Sequence, residues 1–152
     1  MIMALRLRTQ MPELQGATEW INGEVTKEDL KGQPVLIHFW SVSCGLCKKS
    51  MPDVLKMRDE YADQGLKVIG IHMPRSEKDT DVDTVKENIE KYEMTHPQAV
   101  DNQHNITDAF ENEFVPAFYL FDQEGQLRHR SAGEKALSML ERPLKRVLGE
   151  NE

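Results

Sequence analysis

Cys44 and Cys47, with two residues between them, are the two cysteines of the chain and its most chemically suggestive feature. Their spacing reads in three ways. As a redox dithiol, Cys44 sits at the first turn of a helix, where unpaired backbone N–H groups and the helix dipole stabilise a thiolate. Such placement brings a thiol pKa from about 8.5 into a range of roughly 3.5–7.5. A thiolate then exists at neutral pH to attack a disulfide, and Cys47, one turn inward, resolves the mixed disulfide. As half of a zinc site the pair lacks partners, because structural zinc takes Cys and His ligands in clusters and the sequence offers no second Cys pair and no His-x-x-x-His. As a packing feature, two small apolar residues merely fall close together. The surrounding pattern favours the dithiol, since a strand, then Cys-x-x-Cys, then a helix is the context that gives the motif its meaning.

The strand is Val35–Trp40, a nearly continuous apolar run interrupted by His38 and suited to burial on both faces of a central sheet. From Cys44 the pattern predicts a helix to about Gln64, stopped at Gly65, with Met51, Val54, Leu55 and Tyr61 on its packed face and a bend at Pro52. LKVIGIHM predicts a second buried strand, and the resulting right-handed crossover unit puts the dithiol at the C-terminal edge of the sheet. Val82, Val85, Ile89 and Tyr92 mark an amphipathic surface helix. A short strand and a helix with Ile106, Phe110 and Phe114 on one face follow it. Ala117–Phe121 predicts another buried strand, preceded by Val115-Pro116, and FDQEGQLRHRSAGE reads as an antiparallel hairpin. A closing helix is expected over Glu134–Leu148, packing Leu137, Leu140, Leu144 and Leu148, with Pro143 kinking or splitting it. Near the N-terminus, Leu5 and Leu7 alternate with Arg6 and Arg8 as in a short strand. Asn22-Gly23 suits a two-residue hairpin turn, and Thr26 with Asp29 suits a capped helical turn.

FWSVSCGLCKKSMP resembles the active-site segment of the thioredoxin superfamily, in particular the TlpA-like and ResA-like thiol-disulfide oxidoreductases of the redoxin group related to the AhpC/TSA family. Phe39, Trp40, Cys44, Cys47, Lys48 and Pro52 stand at the positions of that family's motif. Ser43 replaces the aromatic residue that commonly precedes the first Cys, Leu46 replaces the usual Pro, and His38 takes a buried place often held by Asp or Asn. The resemblance covers about residues 11–148 and implies an α/β thioredoxin fold. That means a central mixed sheet flanked by helices, with an N-terminal β-hairpin and an inserted strand-helix segment, all in a single domain spanning residues 1–152. It implies that the Val115–Pro116 bond is cis and lies beside the dithiol, with Trp40, Val115 and Pro116 contacting substrate. It further implies a disulfide-containing protein substrate, an external dithiol reductant and no organic cofactor.

Composition narrows the classes of partner. A net charge of −7 without a basic stripe disfavours nucleic acid, and 39% apolar content suffices for one domain with a real core. No apolar run approaches the ~18 residues of a membrane helix, and MIMALRLRTQMP lacks the apolar core of a signal peptide. A cytoplasmic, monomeric protein is the expectation. His38 reads either as a proton acceptor for Cys47 or as a neutral core histidine. His72, His96, His104 and His129 read as solvated side chains that gather no metal. Among rival functions, a peroxiredoxin-type thiol peroxidase would place Pro-x-x-x-Thr-x-x-Cys where Trp40-Ser41-Val42-Ser43 stand. A copper carrier of this fold would space its cysteines by three residues. A non-catalytic interaction module remains the alternative to catalysis.

Overall fold

The computed structural model describes residues 5–149. Six strands form one sheet in the order β1-β4-β3-β2-β5-β6. These are β1 (Glu19–Ile21), β2 (Val35–Trp40), β3 (Lys67–His72), β4 (Gln98–Val100), β5 (Ala117–Phe121) and β6 (Leu127–Ala132). β2, β3 and β4 run parallel, while β1, β5 and β6 join antiparallel, so the sheet is mixed. Four α-helices accompany it: α1 (Gly45–Tyr61), α2 (Val82–Lys91), α3 (Asn105–Ala109) and α4 (Glu141–Val147).

The alternation of β2 divides the core in two, as the period of a strand requires. Leu36 and Trp40 enter a cluster with Cys44, Cys47, Met51, Val54 and Tyr61, the packed face of α1. Val35, Ile37 and Phe39 enter a second cluster with Ile106, Phe110 and Tyr119. There Phe39, Phe110 and Tyr119 meet edge to face at 5.3–5.5 Å between centroids, an arrangement that adds to their burial energy. α1 continues through Pro52 and tightens into a 3-10 turn at Ala62–Gln64, and Gly65 at φ 92° ends it in the left-handed region that glycine enters without strain.

Several expectations are corrected. Asn22 and Gly23 do take positive φ, 68° and 111°, but they close no hairpin. β1 pairs with β4 instead, and Asn22 Nδ2 donates to the carbonyls of Met94 and His96, fastening the turn to the approach of that strand. Residues 5–9 form no strand; Gln10 makes an isolated bridge to Gln126, and Leu7 is exposed. Thr26 and Asp29 exchange side-chain-to-backbone hydrogen bonds as a capping pair does, over a short 3-10 turn at Glu28–Leu30. The closing helix is split. Residues 134–140 form turns, and α4 begins at Glu141, so that Pro143 lies in a first turn whose N–H groups have no intrahelical acceptor in any case. α3 ends at Ala109, which leaves Phe114 beyond it and 61% exposed rather than on its packed face.

Candidate active site

β2 delivers the chain to the C-terminal edge of the sheet, and residues 41–44 turn it into α1. Cys44 N–H donates to the Ser41 carbonyl at 3.0 Å, closing that turn. Cys44 is the N-cap of α1, in extended conformation, and its Sγ accepts the Cys47 N–H at 3.1 Å. Sulfur thus occupies the place of a capping oxygen, where it satisfies one of the orphan donors at a helix start. The two cysteines are joined as a disulfide, 5.3 Å between Cα atoms, and both are buried, at 3% and 1% exposure. Leu46 between them is 41% exposed.

Phe39 pairs with Ala117, so Pro116, the residue before β5, comes opposite Trp40 at the edge from which the dithiol loop departs. The Val115–Pro116 bond is cis. The fold therefore brings Trp40, Cys44, Cys47, Val115 and Pro116 to one end of the sheet.

His38 shares the α1 side of β2 with Leu36 and Trp40, and its hydrogen bond goes to another histidine: His38 Nε2 lies 2.8 Å from His96 Nε2. His96 is buried, not solvated, and belongs to a chain of contacts. Trp40 Nε1 donates to Gln98 Oε1 at 2.9 Å, which turns the Gln98 Nε2 donor toward His96 Nε2, also at 2.9 Å. His96 Nε2 thus lies within hydrogen-bond distance of both His38 Nε2 and the Gln98 amide. Arg58 Nη1, from α1, lies 3.3 Å from His96 Nδ1. Burial, then this cation, push His96 down to about 3, and burial, His96 and Arg58 push His38 well below its ordinary value. Gly70 makes the arrangement fit. It lies between His38 and Gln98 in the sheet register, and a Cβ there would collide with the Gln98 amide.

A second network grips the loop from the other side. Asp79, buried in the connection between β3 and α2, accepts on Oδ2 from Ser41 Oγ at 2.8 Å, Ser43 Oγ at 2.7 Å and Arg75 N–H at 2.9 Å. Burial pushes its carboxyl up, but the three hydrogen bonds and nearby His72 outweigh this and hold it below the usual value. His72, also buried rather than solvated, accepts the Val42 N–H on Nε2 at 3.1 Å and meets the Trp40 ring edge-on; burial, opposed by Asp79, brings it to about 4. Ser41, Val42 and Ser43 are each held. None of Asp79, His72, His96 and Gln98 was singled out by spacing; the available signals were Gly70 inside a β-branched run and Gln98 in a short buried strand. Among the described residues, no group of three or more His, Cys, Asp or Glu is arranged to hold a metal ion. A concavity of about 1490 Å³, lined in part by Pro52, Lys56, Arg58, Tyr61 and Leu137, has neither cysteine in its lining.

A mixed sheet presenting Cys-x-x-Cys at a helix N-terminus, opposite a cis-proline, defines a thioredoxin-fold thiol-disulfide oxidoreductase. Residues 7–130 match the AhpC/TSA family, and the chain belongs to it. It is 54% identical over 149 residues to the thiol-disulfide oxidoreductase YkuV of Bacillus subtilis (strain 168), covering 97% of this chain and 100% of that one. It is 27% identical to the thiol-disulfide oxidoreductase ResA of Bacillus anthracis over 82% of this chain and 69% of ResA. The solution structure of a thioredoxin-like protein in the oxidised form superposes with a TM-score of 0.87 at 54% identity, covering 97% of this chain and 100% of the other. No helix among the described residues is long and apolar enough to cross a membrane.

Proposed function

We propose that the protein reduces disulfides in protein substrates, with Cys44 as nucleophile and Cys47 as resolving thiol. The observation that carries this assignment is the Cys47 N–H donated to Cys44 Sγ at the N-cap of α1. In the reduced protein the same donor and the helix dipole favour a thiolate on Cys44 over one on Cys47. The Cys44 thiolate attacks one substrate sulfur, forming a mixed disulfide, and the other substrate sulfur leaves as a thiolate. Cys47, deprotonated, then attacks Cys44 Sγ and displaces the first substrate sulfur, so two electrons pass to the substrate and the Cys44–Cys47 bond forms. An external dithiol regenerates the pair.

Neither cysteine lines the concavity on the far part of α1, which suits a substrate that presents its disulfide on an extended segment. In our reading that segment runs along Val115 and Pro116 and over Trp40, as in the TlpA- and ResA-like branch. The protein acts as a single-domain monomer in a reducing, cytoplasmic compartment. His38 Nε2 is engaged with His96, and we assign the residue to bracing Trp40 and not to proton transfer with Cys47; His38→Gln should leave the pH dependence of disulfide reduction in place. Two measurements test the reading. A Cys47→Ser variant should accumulate mixed disulfides with protein substrates while Cys44→Ser accumulates none, and the reverse would exchange the roles. The redox midpoint, read by alkylation across a graded thiol buffer, should fall on the reducing side; an oxidising midpoint would make the protein an oxidase.

A further inference from the structure

Arg75 is an exposed cation seated on the residue that precedes the nucleophile. Its guanidinium Nε and Nη2 donate to Ser43 Oγ at 3.2 and 3.0 Å. Asp79 builds the seat from beneath. The same carboxylate oxygen takes the Ser43 hydroxyl proton, which leaves the Ser43 lone pairs for Arg75, and takes the Arg75 backbone N–H. Both ends of the contact are thereby fixed by one buried group. The Asp79 charge is met by short hydrogen bonds at Oδ2, and the Arg75 guanidinium makes no ion pair among the described residues. Glu77 and Lys78 follow Arg75 in the chain, and the loop it faces opens on positive charge. α1 carries no acid in its first turn, Lys48 and Lys49 follow Cys47, and the helix contributes its positive end.

We propose that Arg75 is a specificity-determining residue that selects substrate disulfides flanked by a carboxylate. The inference rests on the assignment of Cys44 as nucleophile. With two guanidinium nitrogens engaged on Ser43, the remaining N–H groups stay available for an acidic side chain next to the attacked cysteine, and the planar fork suits a carboxylate better than a point charge does. The carboxylate is held while the Cys44 sulfur forms its bond to the substrate sulfur and the substrate's other sulfur departs as a thiolate, so the contact accelerates attack without entering the electron transfer.

The test uses the full chain in a Cys47→Ser background and three disulfide peptides that differ only in the residue beside the attacked cysteine, Glu, Gln or Lys. The rate of mixed-disulfide formation is measured for each. The Glu peptide should react about threefold to tenfold faster than the Lys peptide at low salt, the scale of an exposed charge contact. Arg75→Gln should bring that ratio close to one, and Arg75→Lys, which keeps the charge but loses the fork and its seat on Ser43, should give an intermediate ratio. Because the ratio is taken within one protein, loss of active material in a variant cancels. Equal rates in the parent, or a ratio that survives Arg75→Gln, would overturn the inference alone. Absence of mixed disulfide with all three peptides would overturn the nucleophile assignment as well.

Discussion

Asp79 and His96 are both buried ionisable side chains in the networks that brace the segment from Trp40 to Cys44, yet one is held charged and the other neutral. The difference lies in the donors each receives. Asp79 collects two hydroxyls and a backbone N–H on one oxygen, enough to offset desolvation of a carboxylate. His96 is enclosed by the Gln98 amide, His38 and the Arg58 guanidinium, and burial together with that cation opposes a further proton. One network therefore fixes a loop by hydrogen bonds to an ion. The other fixes a tryptophan through neutral groups that can be buried only while they stay neutral.

The largest consequence of this contrast is a dependence on pH. His96 and His72 have folded values of about 3 and about 4, and His38 is lowered in the same direction. As pH falls below about 6.5 the unfolded chain gains protons at these positions and the folded chain does not. Their contribution to stability is present above that value and is lost as pH falls toward 4, at about 1.4 kcal/mol per pH unit for each histidine. For His72 and His96 together the loss between pH 7 and 4.5 should be on the order of 5 kcal/mol, with His38 adding in the same direction, which urea unfolding of the oxidised protein at several pH values would read. A flat profile over that interval would mean that these histidines are not buried as neutral groups. Asp79 acts in a separate window: its lowered value gives stability present above about pH 4 and lost below it as the carboxyl protonates.

Gly70→Ala should be next in size. The added methyl meets the Gln98 amide, so either Gln98 swings away from Trp40 and His96 or β3 shifts. Overpacking together with a broken buried network should cost about 2–4 kcal/mol, measured by denaturant midpoint. A cost below about 1 kcal/mol would show that the row His38, Gly70, Gln98 adapts freely, and the neutral network would then not be the rigid partner of the comparison.

These networks were the least legible part of the sequence, and the reason is physical. The strand Val35–Trp40, the helix opening at Cys44-x-x-Cys47 and the strand after Val115-Pro116 carry their signals locally, in apolar runs, spacing and turn residues, and the structure reproduces them with close boundaries. Asn22-Gly23 also carries its local signal, positive φ, but the partner of β1 is β4 from far along the chain, and nothing local selects it. His72 and His96 read as solvated because a single histidine has no period; their burial is decided by Trp40, Gln98 and Asp79, residues brought together by the sheet register. The Asp79 network has the same character, since no local pattern marks Ser41 and Ser43 as partners of a carboxylate from the next crossover.

Ser41→Ala gives the smallest effect and the sharpest view of the charged network. The substitution removes one of three donors to Asp79 at a fully buried position and leaves Ser43 and the Arg75 N–H in place. Because the carboxylate keeps two partners it is not stranded, and the expected cost is about 1.5–3 kcal/mol, the worth of one hydrogen bond to a charged group. That cost should be constant from pH 5 to 7 if two remaining donors suffice to keep Asp79 ionised there, as its lowered value in the parent leads us to expect. The steep histidine dependence is common to parent and variant and cancels in their difference. If the difference instead changes across pH 5–7, Asp79 is taking up a proton there, its hydrogen bonds do not offset its burial, and the distinction between a network built on a charge and one built on neutrality fails.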